Sequence, residues 1–486
     1  MSGPAVPTAR ADLATPADPR RWKALTVCLI AGFMTFLDDS IVNVALPSIH
    51  EGLSASDSAL QWIVSGYALS FGLVLVPAGR LGDAWGRRRV FGYGLALFVL
   101  TSAAAGMAGS ATWLAAARVA QGVASGILLP QVSALVQQLF RGTERGKAFG
   151  LFSATIGVAT AVGPLVGGVL IGLIGGHSGW RWIFYINVPI GLAALVLSSR
   201  WIPRERAEPT SIRALDPVGV VLLGLAVLAL LLPFEERSWN EVTKWASIAG
   251  AVLLGVIFIW WERRYEQAGG RPVLTLSLFR LRSFSLGNAI GLLYFCGFTS
   301  LFFVVTLYLQ SGLGFSAFAA GVVMTSFAIG SAATSVLAGR LTARLGGWVI
   351  VLGACLVLVS LVTVIVLVTL SPTASGAAWA TLPLLIAGIG SGMIIAPNQT
   401  MTLEDVPLGH AGSAGGMLQT GRRVGAAIGI ATAGSALFAT LGSQGQWVQG
   451  FRASLFVVMG FVAVALLLAL FDVLSRRPGA VTAAAG

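Results

Sequence analysis

Gly79-Arg80-Leu81-Gly82-Asp83-Ala84-Trp85-Gly86 recurs 260 residues downstream as Gly339-Arg340-Leu341-Thr342-Ala343-Arg344-Leu345-Gly346, and each copy follows an apolar stretch long enough to cross a bilayer. A second match pairs Gly122, Ser125 and Gly126 with Gly388, Ser391 and Gly392, at an offset of 266. Both matches join apolar stretches eight apart in the order of stretches. They predict two parallel six-helix halves separated by two inserted helices, a 6 + 2 + 6 arrangement. Two similar halves about an axis normal to a membrane place a cavity between them near the midplane, the arrangement that alternating access needs. A channel or scaffold does not need the duplication.

Composition points the same way. Of 486 residues, 56% are apolar and 10% charged, against roughly a quarter charged in a soluble domain. Mean hydropathy is +0.85. At ~35 residues for one span and its loop, the chain is an all-α integral membrane protein of about fourteen helices with nothing left for a globular domain. The expected spans are 24–46, 58–79, 90–109, 112–139, 146–173, 181–200, 217–233, 244–261, 284–309, 317–341, 348–370, 377–400, 413–440 and 452–474. They divide the chain into an N-terminal tail (1–23), a first six-helix bundle (24–200), two linking helices with their loops (201–283), a second bundle (284–474) and a C-terminal tail (475–486). The N-terminal tail is too weakly charged at its start for a cleaved signal peptide.

The net charge of +12 is mostly topology. With both ends inside, 24 of the 31 basic residues fall in cytoplasmic segments, four outside, and three, Arg118, Arg422 and Arg423, within spans. The partition supports an even number of spans and needs no nucleic-acid partner. A bias of 28 Arg to 3 Lys points to a GC-rich bacterial genome, and so to the bacterial cytoplasmic membrane. Cys28, Cys296 and Cys355 lack CxxC spacing and His50, His177 and His410 fall in separate expected loops, so neither a disulfide framework nor a metal site is implied. Gly142-Thr143-Glu144-Arg145-Gly146-Lys147-Ala148 is one residue short of a phosphate loop and ends in Ala, so it offers no ATP site.

Leu37-Asp38-Asp39-Ser40-Ile41-Val42-Asn43-Val44-Ala45-Leu46-Pro47, Gly79 to Val90, Arg118-Val119-Ala120-Gln121-Gly122, Gly163-Pro164-Leu165-Val166-Gly167-Gly168 and Trp180 to Gly191 are five segments that, in this order, resemble the fourteen-span drug:proton antiporters of the major facilitator superfamily. The first resembles that group's first-helix motif, which usually has Thr where Ser40 stands. Gly79 to Val90 resembles the loop between helices two and three, and Arg118-Val119-Ala120-Gln121-Gly122 the fourth-helix motif. Gly163-Pro164-Leu165-Val166-Gly167-Gly168 is similar to the fifth-helix motif of antiporters, as opposed to symporters. Trp180 to Gly191 is similar to the start of the sixth helix. The resemblance implies multidrug efflux: export of drugs, dyes or antibiotics by a multi-pass transporter that uses the proton gradient and no cofactor. Its partners are small-molecule substrates, protons and the lipid bilayer, with a monomer as the working unit.

An ionisable group within a span costs at least a few kcal/mol and is a functional candidate. Asp38 and Arg118 fall at similar depth when counted at 1.5 Å per residue. Burial disfavours an ionised carboxylate and a nearby Arg favours it, so motion of Arg118 relative to Asp38 changes whether a proton is held. The expectation is that Asp38 carries the proton, Arg118 modulates it, and protonated Asp38 releases substrate outward. A static ion pair is the alternative. Asp39, ~100° away on the helix, either attracts cationic substrate at the cavity edge or bonds to a neighbouring helix. Arg422 and Arg423 have no deep acidic residue in helices nine to fourteen; they snorkel into an inward cavity, or one of them, Arg423 first, binds an anionic substrate group.

In the loop at 79–90 the resemblance gives Gly79, Asp83, Gly86 and Arg87 a gating role, with Asp83 engaging a helix of the other half or a neighbouring Arg. Positive charge holding the loop inside explains the same residues. Gly163, Pro164 and Gly167 allow a tight, bent seam that the family reading connects with low proton leak. Asn43, Trp62, Tyr67, Tyr294, Phe298 and Asn398 are candidate substrate contacts for a poly-specific cavity, beside Asp39 and Arg423. Two other readings remain: an exporter dedicated to one endogenous metabolite, giving self-resistance, and a non-transporting membrane sensor. An enzyme would need a nucleophile–base cluster, and none is evident.

Overall fold

The computed structural model describes residues 18–204, 216–235, 239–270, 272–370, 380–441 and 447–475. Its described residues are helical, with no strand among them. We number the helices α1 (Arg21–Leu53), α2 (Asp57–Trp85), α3 (Arg87–Gly106), α4 (Ala111–Leu139), α5 (Gly142–Ile174), α6 (the short piece Trp182–Tyr185 and then Asn187–Trp201), α7 (Pro217–Glu235), α8 (Glu241–Gln267), α9 (Arg282–Leu307), α10 (Ala317–Leu345), α11 (Trp348–Leu370), α12 (Thr381–Thr402), α13 (Ala411–Leu441) and α14 (Trp447–Ser475). Among the described residues thirteen helices are long and apolar enough to cross a membrane, and the shorter apolar Pro217–Pro233 stands where the seventh span is expected.

Several helices outrun their apolar stretches. At 33 residues α1 is about 50 Å long against a hydrocarbon core of roughly 30 Å. It starts at Arg21, inside the expected tail, and runs past His50, which is therefore helical and not in a loop. Backbone hydrogen bonding does not stop at the membrane edge, whereas hydropathy does. The expected tails at 1–17 and 476–486 lie outside the described residues. Ser56, Ser110, Asn240 and Ser316 each cap the start of a helix, α2, α4, α8 and α10 in turn, by accepting the third following N–H. All four starts are at the end opposite the basic loops.

The helix contacts repeat with a shift of eight. α1 packs on α5 and α6, and α9 on α13 and α14; α4 lies between α2 and α3, and α12 between α10 and α11. The two halves meet along α2 with α13 and α5 with α10, pairs related by the same shift. Glycines set these approaches. A Cβ on Gly122 would strike the carbonyl of Tyr67 and one on Gly126 that of Phe71; on Gly388 and Gly392 it would strike those of Phe327 and Ser331. The sequence offsets of 260 and 266 map each contact onto its partner.

α4 is the most enclosed span, 78% of its most apolar window being buried, and α8 the least, at 11%. α7 and α8 pack on each other, and α7 leans on α2 and α13 at the periphery. Their basic-loop end is tied in by two buried carboxylates. Asp216 caps Gly219 N (3.0 Å) and accepts from Trp261 Nε1 (2.8 Å), while Glu262 accepts from Val273 N and Leu274 N (3.3 and 3.1 Å). Exposed apolar side chains such as Leu100, Leu173, Val252, Leu370 and Leu467 ring the molecule, a surface that hydrocarbon satisfies and water does not.

Candidate functional site

Asp38 is wholly buried within the first half, and Arg118 is 1% exposed. Asp38 Oδ2 pairs with Arg118 Nη1, and Oδ1 accepts from Gln121 Nε2 and Asn187 Nδ2, both at 2.9 Å. Arg118 also donates to Gln121 Oε1 (2.8 Å) and to the Ile63 carbonyl (3.2 Å), with its guanidinium 4.1 Å from the centre of the Tyr67 ring. Ser102 Oγ accepts from Gln121 and Asn187. The network draws on α1, α2, α3, α4 and α6, and gives a buried ion pair the extra hydrogen bonds it needs to offset desolvation. The 266-residue offset puts Leu384 and Ala387 where Arg118 and Gln121 stand, so the second half lacks this network.

Asp39 turns the other way. Its Oδ2 lies 3.7 Å from Arg423 Nη2 of α13, an ion pair between the halves, with Arg423 stacked over Phe71 of α2 at 4.2 Å. The two side chains are 35% and 26% exposed. Asn43 and Pro47, one and two turns farther along the same face, are exposed as well. Partial exposure sets this pair, between the halves, apart from the enclosed Asp38 network. Arg423 meets a counter-charge from the first half, helices nine to fourteen supplying none among the described residues, and one expectation is corrected here. Arg422 does not snorkel: it is 5% exposed and held by Gln399 Oε1 (3.2 Å) and Gln419 Oε1 (3.4 Å).

On the basic-loop side the halves are closed. A Cβ on Gly79 would strike the Gly412 carbonyl, and one on Gly339 would meet the Gly146 backbone, again positions related by 260 and 266. Gly150 against Ser335 and Gly416 against Leu75 repeat this one turn deeper. An apolar plug including Val76, Val136, Phe149, Met417 and Leu418 fills the space between. Asp83 caps α13 across the seam, accepting from Gly412 N (2.9 Å), Ser413 N (2.8 Å) and Ser413 Oγ (2.8 Å). A carboxylate there meets both free N–H groups and the positive end of the helix dipole. Arg87 lies 3.5 Å from Asp83, donates to Gln138 Oε1 (3.0 Å) and reaches the Leu408 carbonyl of the other half. Gly86, at φ 93°, makes the turn between α2 and α3 that brings Asp83 and Arg87 together.

The fifth-helix glycines press α5 onto α1 beside the carboxylates: a Cβ on Gly163 would strike Ser40, and one on Gly167 would meet Ile41. The side chain of Pro164 lies outside the described residues. The remaining candidates are scattered. Tyr67 is fully buried, its hydroxyl hydrogen-bonded to Thr35 O and Ser125 Oγ, and its ring faces Arg118 inside the first half. Asn398 is 3% exposed and donates to Gly287 O within the second half. Tyr294 and Phe298 join Phe295, Phe302 and Phe327 in one aromatic run on α9 and α10. Trp62 is 41% exposed.

Sequence reasoning missed Asn187 and Ser102 as partners of Asp38, and the bond from Gln399 Nε2 to Ser133 Oγ (3.3 Å) that crosses between the halves. Ser133 and Gln399 are themselves 266 residues apart, equivalent positions meeting on the pseudo-twofold axis. Polar side chains in mid-span were the available signal.

The chain is similar to known proteins along most of its length. The chain is 36% identical over 434 residues to a probable actinorhodin transporter of Streptomyces coelicolor, covering 88% of this chain and 74% of that one. It is 35% identical over 420 residues to the puromycin resistance protein pur8 of Streptomyces alboniger, covering 85% and 81%. The crystal structure of the human organic anion transporter MFSD10 superposes with a TM-score of 0.67 at 16% identity, covering 93% of this chain and all of that one, a likeness of fold alone. The Major Facilitator Superfamily profile matches residues 28–430. Two halves related by one offset pattern, a buried arginine–carboxylate network in the first of them and this match along most of the length place the chain in the Major Facilitator Superfamily of membrane transporters.

Proposed function

We propose that the protein is a proton-coupled antiporter that exports hydrophobic small molecules across a bacterial cytoplasmic membrane by alternating access, with fourteen spans arranged 6 + 2 + 6 and both termini cytoplasmic. The observation that carries the reading is the division of labour along α1. Asp38 faces Arg118 inside the first half, whereas the next residue, Asp39, faces Arg423 in the second.

With the basic loops cytoplasmic, the closed seam at Gly79, Gly412, Gly146 and Gly339 makes this the outward-facing state. Asp38 paired with Arg118 is the arrangement of an ionised carboxylate. Protonation at Asp38 removes the charge that Arg118 answers and loosens α1 against α4. Because Asp39 is rigidly adjacent, a rotation of α1 disturbs its contact with Arg423, so proton binding and the relation between the halves share one element. No nucleotide enters the cycle; the proton gradient drives it. The names of the relatives, a transporter for actinorhodin and a resistance protein for puromycin, support antibiotic export. Each is named for a single antibiotic, which favours as a second reading an exporter dedicated to one metabolite.

Inverted membrane vesicles test the proposal. An imposed proton gradient is expected to drive accumulation of a fluorescent substrate, abolished by uncoupler, and Asp38→Asn is expected to lose uphill accumulation while keeping downhill exchange. Uphill export retained by Asp38→Asn removes Asp38 from the coupling step. A panel of dyes and antibiotics separates broad export from the single-metabolite reading.

A further inference from the structure

Three arginines lie deep in the described spans, and their environments differ. Arg118 has Asp38, and Arg423 has Asp39. Arg422, 11 residues into α13 and so about 16 Å from its start, has no carboxylate within ion-pair distance among the described residues. Only its Nη1 is bonded, to two neutral amide oxygens; Nε and Nη2 are buried without a partner. Holding Gln399 and Gln419 needs a hydrogen-bond donor but no charge. A guanidinium with unused donors, desolvated and uncompensated, is costly as a strut and suited to an anion.

We infer that Arg422 is the anion-binding residue of the transport cycle, taking the carboxylate or ionised phenol of a hydrophobic aromatic substrate when the halves part on the basic-loop side. The inference rests on the export reading above and gives its substrate a charge. Two further observations support it. The guanidinium lies 5.1 Å from the ring centre of Phe295, the first of a run continuing through Phe298, Phe302 and Phe327 at 5.3, 5.2 and 5.0 Å. A cation at one end of an aromatic wall fits a planar ring system bearing an acidic group.

Access is tied to the conformational change. Gln399, which holds Arg422, donates across the axis to Ser133 of the first half, and the plug residues Met417 and Leu418 lie on α13 just below Arg422. Parting of the halves on that side breaks the Gln399 bond and splits the plug, uncovering the free nitrogens toward the compartment from which an exporter loads. Closing buries them again. Since Asp39 answers Arg423, the set Asp39, Arg422 and Arg423 carries one net positive charge, which an anion balances.

Three fluorescent probes of one shape test this: 2-anthracenecarboxylate, 2-anthracenemethanol and 2-anthracenemethylammonium. Binding is read by energy transfer from tryptophan to the full-length protein in nanodiscs, with empty nanodiscs as the blank. The carboxylate is expected to bind at least tenfold more tightly than the alcohol or the ammonium. Arg422→Gln is expected to weaken the carboxylate at least tenfold and the alcohol less than twofold, with Arg422→Lys in between. The thermal unfolding midpoint of Arg422→Gln is expected to equal or exceed that of the native protein, because a buried uncompensated charge is gone. Equal weakening of all three probes, or a lowered midpoint with unchanged selectivity, makes Arg422 a structural strut and overturns the inference. Proton-driven uptake in inverted vesicles separates the two levels. Uptake of the alcohol or ammonium without anion preference, or uptake of none of the three while other compounds of the dye and antibiotic panel accumulate, removes the Arg422 site and leaves export standing; uptake of none of the three and of nothing in the panel removes broad export together with the Arg422 site.

Discussion

The contact between Asp83 and the start of α13 supports a quantitative test of the closed state. Asp83 is 1% exposed at its side chain and accepts two backbone N–H bonds and one hydroxyl bond from Gly412 and Ser413, all between 2.8 and 2.9 Å. A net hydrogen bond to a charged group contributes about 1.5–3 kcal/mol, and a carboxylate at a helix N-terminus adds about 0.3–1 kcal/mol. The bonds share one carboxylate and do not add fully, so Asp83→Ala is expected to weaken the closed seam by about 3 kcal/mol. At 1.4 kcal/mol per factor of ten, a closed-to-open ratio of about 100 falls to about 1. Spin labels on Arg89→Cys and Ala343→Cys, both exposed near the basic-loop end and on opposite halves, report the ratio as a distance distribution in a Cys355→Ser background. A long-distance population rising to near half is the expected result. A distribution unchanged within a factor of two would show that the glycine seam and the plug hold the state alone and that Asp83 is no latch.

Three other expectations follow from the same contacts. Gly79→Val and Gly339→Val each place side-chain atoms on the backbone of the opposing half, at Gly412 and Gly146, so both are expected to raise the open population on the basic-loop side in the same spin-label assay, while Gly168→Ala, with nothing within 4 Å of its Cβ, leaves it unchanged. Asp38→Asn leaves Arg118 buried without a counter-charge, a loss of about 3–5 kcal/mol. Adding Arg118→Gln is expected to recover a large part of it, read as a higher unfolding temperature for the double variant than for Asp38→Asn, and no recovery would mean the pair is not coupled. Breaking the partly exposed Asp39–Arg423 pair by Asp39→Asn should cost under about 1 kcal/mol of stability yet change transport rate, because in the proposed cycle the pair joins halves that move; a large fall in unfolding temperature with unchanged transport contradicts this.

Much of the fold was legible because membrane insertion writes itself into composition and order. A repeat at offsets of 260 and 266 is enough to pair helices eight apart, and the contacts of Gly122 with Tyr67 and of Gly388 with Phe327 repeat under those offsets. Helix ends were less legible, as α1 and His50 show, because hydropathy marks the hydrocarbon and not the helix. In the site, Asp38 and Arg118 could be matched by depth alone. Asn187 could not, because its partner lies 149 residues away and nothing in its neighbours' identity says which way an amide points.

The charges divide along the same line. That Asp38, Asp39, Arg118, Arg422 and Arg423 are the charges set within apolar spans was legible in the sequence, and so was their standing as candidates, since charge there is costly wherever the chain goes. Which charge answers which was decided only in three dimensions. Adjacent helical residues point ~100° apart, so Asp38 and Asp39 serve different halves and Arg422 and Arg423 face different neighbours. The result, two arginines with counter-charges and a third without, depends on how the two halves are set against each other, a relation that no local stretch encodes.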